Sequence, residues 1–122
     1  MAKKILIVED DALIREALTD KLRSSGYDVI LAADGQQGYD QAVSNKPDLI
    51  LLDILIPVMT GIEMLEKLRQ DDWGKTATVI LITNTDDNNA INDSLRLGVK
   101  NYIIKSDISS EELTDLLEQT LS

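Results

Sequence analysis

The residues best suited to chemistry share one kind of position. Glu9 and Asp10 follow the apolar run Ile5–Val8, Asp53 follows Leu49–Leu52, Thr83 follows Val79–Ile82, and Lys105 follows Tyr102–Ile104. A continuous apolar run bounded by turn residues predicts a strand buried on both faces, the kind found in parallel sheets covered by helices. In open α/β sheets, ligands bind outside the carboxyl ends of the strands. Glu9, Asp10, Asp53, Thr83 and Lys105 would then gather on one edge. Carboxylates brought together there repel: at ~4 Å and an effective dielectric of ~20, each like-charge pair costs roughly 4 kcal/mol. A raised pKa, a lysine or a bound cation must relieve that. Oxygen donors without His or Cys suit a hard cation, and Mg²⁺ fits because it takes one or two carboxylates and shares its site with phosphate. Lys105 offers a point charge to an arriving anion and Thr83 a hydroxyl donor. Asp53 is the natural nucleophile, able to form an aspartyl phosphate with Mg²⁺ bridging the carboxylate and the transferred group.

The composition narrows the alternatives. The chain has 122 residues, 43% of them apolar, which predicts one folded domain, residues 1–122, with a real core. It contains no cysteine, so disulfides and thiolate metal sites are excluded. It contains no histidine either, which removes Ser-His-Asp and Cys-His catalysis and any phosphohistidine of its own. A net charge of −10 argues against direct nucleic-acid binding, which needs clustered Lys and Arg. No apolar run approaches a membrane span. Ile5–Val8 is too short for a signal peptide, so a cytoplasmic protein is the default expectation.

The remaining elements must position the strand ends. Asp10 or Asp11 caps a first helix with core face Ile14, Ala17, Leu18 and Leu22, stopped at Gly26. Tyr27–Leu31 reads as a second strand, and Asp34 caps a second helix with inner face Tyr39, Ala42 and Val43, closed by Asn45-Lys46-Pro47. Asp48–Leu52 is the third strand. Pro57 and Gly61 frame a loop, and Gly61, Met64, Leu65 and Leu68 mark a third helix. Asp71–Thr76 is a polar connection containing the only tryptophan, Trp73. The fourth helix is rich in weak helix formers over Asp86–Asp93, with Ile91 and Leu95 as its apolar pair and Gly98 as its end. Ser109 and Glu112 form a capping box for a last helix whose core face is Leu113, Leu116, Leu117 and Leu121. Five strands alternating with five helices predict a parallel sheet covered on both faces.

Four stretches taken together, ILIVEDD at Ile5–Asp11, LLDILIPVMTG at Leu51–Gly61, ILIT at Ile80–Thr83 and YIIK at Tyr102–Lys105, resemble the response-regulator receiver domains of bacterial two-component signalling, over nearly the whole chain. The resemblance implies a flavodoxin-like (βα)5 sandwich with strand order 2-1-3-4-5. It implies that Asp53 accepts a phosphoryl group from the phosphohistidine of a histidine kinase or phosphotransfer protein. Glu9 and Asp10 match the acidic pair that holds Mg²⁺, with Asp53 and the carbonyl of Leu55 as further ligands. Thr83 and Lys105 match the pair that contacts the phosphoryl group. Tyr102 matches the aromatic that changes rotamer when Thr83 is drawn inward, repacking the surface of helix four, strand five and helix five toward a downstream effector. A phosphorylation-dependent homodimer belongs to the same set of implied partners.

Two positions depart from the family pattern. Ser106 stands where a proline usually follows the lysine, so that peptide bond is either trans or strained, and Asn84 replaces a small residue after the threonine. Leu55 and Thr85 occupy the positions that tune phosphoaspartate hydrolysis. Neither can orient water as a carboxylate or amide would, which predicts a long-lived phosphoryl state. These departures favour, as the alternative, a pseudo-receiver acting as an interaction module without phosphorylation. A phosphatase of the haloacid-dehalogenase type would need an aspartate at position 55, which is Leu55, and no GxxxxGK[ST] or GxGxxG cradle follows a strand.

Overall fold

Alternation of short, wholly apolar segments with amphipathic ones sets the architecture. A computed structural model describes residues 2–84, 88–105 and 110–121. The strands are β1 (Lys4–Val8), β2 (Asp28–Ala32), β3 (Leu49–Leu52), β4 (Val79–Thr83) and β5 (Asn101–Ile104). The helices are α1 (Ala12–Ser24), α2 (Gly35–Asn45), α3 (Gly61–Gln70), α4 (Asn88–Arg96) and α5 (Ser110–Leu121), with a short 3₁₀ turn at Gly74–Thr76. All strand pairs are parallel, in the order β2-β1-β3-β4-β5, so the chain has the flavodoxin-like (βα)5 fold.

Successive strand side chains point to opposite faces, and the sheet uses both. Leu6, Val8, Ile50, Leu52, Val79 and Leu81 build a core with Ala42 of α2 and Met64, Leu65 and Leu68 of α3. Ile5, Ile7, Leu49, Leu51, Ile80, Ile82 and Ile103 build the other with Leu22 of α1 and Leu113 and Leu117 of α5. β1 and β3 are sealed on both sides, with Ile5–Val8 and Leu49–Leu52 all 0% exposed. Their continuous apolar runs in the sequence have this cause.

Helix ends follow local chemistry. Asp11, not Asp10, caps α1, accepting from the backbone N–H groups of Leu13 and Ile14. At the far end, Gly26 adopts φ +94°, its N–H reaching the Arg23 carbonyl while the Tyr27 N–H reaches that of Leu22. Asp34 caps α2 through the Gln37 N–H. Thr60 and Glu63 form a capping box that starts α3 one residue before Gly61.

Two predicted core positions are corrected. Ala17 faces solvent, and Thr19 takes the buried place on α1, its hydroxyl donating to the Arg15 carbonyl so that no polar group is stranded. Leu95 is 44% exposed, and the inner face of α4 is Ile91 with Ser94, whose hydroxyl donates to the Ile91 carbonyl. In both helices a hydroxyl bonded to its own preceding turn entered the core, which an apolar-periodicity rule does not anticipate. The Ser109 capping box, Asp86, Asp87, Thr85 and the Lys105–Ser106 bond lie outside the described residues.

The end of α3 is tied to the turn before β5 by one cation. The Arg69 guanidinium donates to the carbonyls of Leu97 (2.6 Å), Gly74 (2.7 Å), Ala77 (2.8 Å) and Gly98 (3.3 Å). Burial lowers its pKa below the usual arginine value, yet a guanidinium stays protonated in proteins.

Candidate phosphoacceptor and metal site

Three of the predicted site residues sit one position beyond a strand, held there by extensions of the parallel ladder. The Glu9 N–H donates to Ala32, the Asp53 N–H to Val8, and the Lys105 N–H to Thr83, at 3.0, 3.1 and 3.0 Å. Strand alternation gives Glu9, Asp53 and Lys105 the parity of Ile7, Leu51 and Ile103, so all three belong to the face covered by α1 and α5. Their side chains meet. Lys105 Nζ lies 2.5 Å from Glu9 Oε2 and 2.8 Å from Asp53 Oδ2.

The cleft is largely desolvated. Glu9 is 1% exposed and Asp53 4%. Burial, reinforced by the Asp53 charge and opposed by Lys105, raises the Glu9 pKa above the ordinary glutamate value. Burial alone would lower the Lys105 ammonium, but its hydrogen bonds to Asp53 and Glu9 outweigh that and hold it above the ordinary lysine value. Both the lysine and the raised pKa invoked from the sequence are therefore present.

Asp10 completes the acidic set. One carboxylate oxygen each from Glu9, Asp10 and Asp53 lie within 4.8 Å of one another. Glu9 and Asp53 are buried while Asp10 is exposed, so the set opens to solvent on the Asp10 side. An all-oxygen set of this size fits a hard divalent cation.

The second Asp53 oxygen, Oδ1, accepts the Leu55 N–H at 3.1 Å. Gly61, at the start of α3, is packed so tightly on this loop that a Cβ there would lie 2.6 Å from the Asp53 carbonyl oxygen. Thr83 is fully buried at the end of β4, with Ile104 beside it on β5. Tyr102 stands apart: it lies on β5 beside Leu81 and is 43% exposed. No described helix is long and apolar enough to cross a membrane.

Sequence reasoning missed Arg15. Its Nη1 donates to the carbonyl of Glu9 at 2.8 Å and, more weakly, to that of Asp10 at 3.4 Å. The signal was available: helical side chains point back toward the N-terminus, so a long cation in the fourth position of α1 overlies the turn before it.

Comparison with known proteins bears on the family and the fold. The description "Response regulator receiver domain" fits residues 5–118. The chain is 39% identical over 105 residues to the alkaline phosphatase synthesis transcriptional regulatory protein PhoP of Bacillus subtilis, covering 86% of this chain and 43% of that protein. It is 36% identical over 121 residues to the phosphate regulon transcriptional regulatory protein PhoB of Pseudomonas aeruginosa, covering 99% and 52%. The chain thus spans about half the length of the curated relatives it matches. Among solved structures, the chemotaxis protein CheY4 of Vibrio cholerae superposes with a TM-score of 0.90 at 27% identity, covering 99% of this chain and 100% of that one. The receiver domain of a sensor histidine kinase from Pseudomonas aeruginosa PAO1, solved with a magnesium ion in its active-site cleft, gives 0.90 at 29% identity, covering 99% and 98%. The chain belongs to the response regulator receiver domain family, phosphoacceptor domains that act in their own phosphorylation and dephosphorylation rather than as conventional enzymes.

Proposed function

We propose that this chain is a Mg²⁺-dependent phosphoacceptor switch in which Asp53 takes the phosphoryl group from the phosphohistidine of a histidine kinase or phosphotransfer protein. The observation that carries the reading is the convergence of Glu9, Asp10 and Asp53 on one cleft with Lys105 bridging two of them. Glu9, Asp10, Asp53 and the Leu55 carbonyl would hold the cation. When bound, Mg²⁺ supplies charge neutralisation between the attacking carboxylate and the phosphoryl oxygens. An Asp53 carboxylate oxygen attacks phosphorus and forms the new P–O bond; the P–N bond to the imidazole breaks, and its electron pair stays on that ring nitrogen. Lys105, already 2.8 Å from Asp53, pairs with a phosphoryl oxygen, and the Thr83 hydroxyl donates to another.

The signalling step follows from what Thr83 adjoins. Movement of Thr83 toward the phosphoryl group vacates space beside β5, Tyr102 turns inward, and the surface of α4, β5 and α5 changes for a downstream effector or a second copy of the chain. Residues 1–122 act as one receiver unit. Neither Leu55 nor Thr85 is a carboxylate or amide of the kind that orients a hydrolytic water, so the phosphorylated state is long-lived. Incubation with acetyl phosphate and Mg²⁺ tests the reading. Intact-protein mass spectrometry should show one added phosphoryl group on the wild type and none on Asp53→Asn. An unmodified wild type would instead support an interaction module without phosphorylation.

A further inference from the structure

Glu9, Asp10 and Asp11 are three consecutive acids with three different duties. Glu9 binds Lys105 through one oxygen and accepts the Asp11 N–H through the other at 3.2 Å. Asp11 caps α1. The Asp10 carboxylate alone has no hydrogen-bond partner among the described residues and is exposed. Arg15 follows one turn later, half-buried, and forms no ion pair with a described residue. Its Nη1 engages the carbonyls of Glu9 and Asp10 instead of any carboxylate on that turn. A guanidinium that binds backbone in an acid-rich turn is placed to hold peptide planes.

We propose that Arg15 is a positioning residue for the divalent-cation site: by holding the Glu9 and Asp10 carbonyls on the α1 side of the turn, it keeps both carboxylates aimed at Asp53. The inference rests on the reading that Glu9, Asp10 and Asp53 hold Mg²⁺. Partners that orient metal ligands typically change metal affinity by about 10- to 100-fold when removed. Charge alone acts in the opposite direction. A nearby guanidinium repels a cation, so deleting it tightens Mg²⁺ binding if Arg15 is only a charge. The sign of the change therefore separates the two roles.

The experiment is titration of Mg²⁺ into the wild-type chain, Arg15→Met and Arg15→Lys by calorimetry. Thermal unfolding without Mg²⁺ and acetyl phosphate labelling at limiting and saturating Mg²⁺ accompany it. Arg15→Met should weaken Mg²⁺ about 10-fold, with Arg15→Lys between it and wild type because one donor and the charge survive. Labelling should slow at limiting Mg²⁺ and recover at saturation, a pattern that general loss of structure does not produce. Unchanged or tighter Mg²⁺ binding by Arg15→Met overturns the proposal. Should Arg15→Met unfold, Arg15→Lys decides: weaker binding supports the role and wild-type affinity refutes it. Absence of Mg²⁺ uptake by the wild type refutes the metal reading itself, and Arg15's role with it, at the first titration.

Discussion

Lys105 Nζ and Asp53 Oδ2 lie 2.8 Å apart although 52 positions separate them in the chain, and the same ammonium reaches Glu9. The fold thus brings one lysine between two buried carboxylates. Lys105→Met keeps the stem and removes that charge. Breaking a buried pair by deleting one partner typically costs ~3–5 kcal/mol, and the variant should unfold earlier in urea by an amount of that order. Mg²⁺ should restore part of the loss. A Lys105→Met protein as stable as wild type without Mg²⁺ would contradict the bridge. The raised lysine pKa sets the pH range: the contribution of Lys105 is full below the ordinary lysine value and is lost as the pH climbs through the higher folded one.

Glu9 follows the same direction at lower pH, but for a carboxyl the favoured form is the neutral one. Its folded pKa is raised, so the folded state holds this proton more tightly than the unfolded chain does. The associated stability is present below the ordinary glutamate value and disappears as the pH rises through the folded pKa. Glu9→Gln should therefore be at least as stable as wild type at neutral pH without Mg²⁺, with the difference shrinking in acid. Denaturant curves across the pH range measure this directly.

Asp10 is exposed and makes no side-chain hydrogen bond among the described residues, so its substitution should separate metal binding from folding. Asp10→Asn should leave stability within about 0.5 kcal/mol, the usual range for surface changes. It should weaken Mg²⁺ clearly. Equal Mg²⁺ affinity in calorimetry would remove Asp10 from the ligand set.

Gly61 marks a close approach. A Cβ at this position would lie 2.6 Å from the Asp53 carbonyl oxygen and 2.7 Å from Ile54 Cα. Gly61→Ala should cost about 1–3 kcal/mol by overpacking. It should also shift the amide resonances of Asp53 and Leu55, because the carboxylate loop must move to make room.

Val58 adopts φ +69° and is 81% exposed, and the Met59 N–H closes a tight turn onto the Pro57 carbonyl at 2.8 Å. A left-handed conformation costs a non-glycine residue roughly 1–2 kcal/mol, and this β-branched side chain recovers little by burial. Val58→Gly gives up less than that in chain entropy, about 0.5–1 kcal/mol. The variant should be more stable by up to about 1 kcal/mol, seen as a higher denaturation midpoint at unchanged m-value.

Much of the site was legible because strand ends announce themselves. Val8-Glu9, Leu52-Asp53 and Ile104-Lys105 each switch from apolar to charged at the point where the ladder runs out, and a parallel sheet sends all such switches to one edge. The strand order needed the resemblance as well as the pattern. Thr19 and Ser94 escaped because a hydroxyl bonded to its own helix passes for apolar, and apolar periodicity does not register that. Asp11 as the cap, rather than Asp10, depended on a difference of one residue that only backbone geometry resolves. Arg15 and Thr60 act on backbone groups, and their roles appear once the turn they serve has a shape.

Arg69, seated on four peptide oxygens, has a consequence for how the molecule meets brine. Dissolved ions screen attraction between exposed charges such as Arg96 and Asp93. They have little purchase on a recessed fork whose partners carry no formal charge. As ionic strength climbs, the junction of α3 with the β5 approach should stay clasped while the decorative pairs on the rim let go.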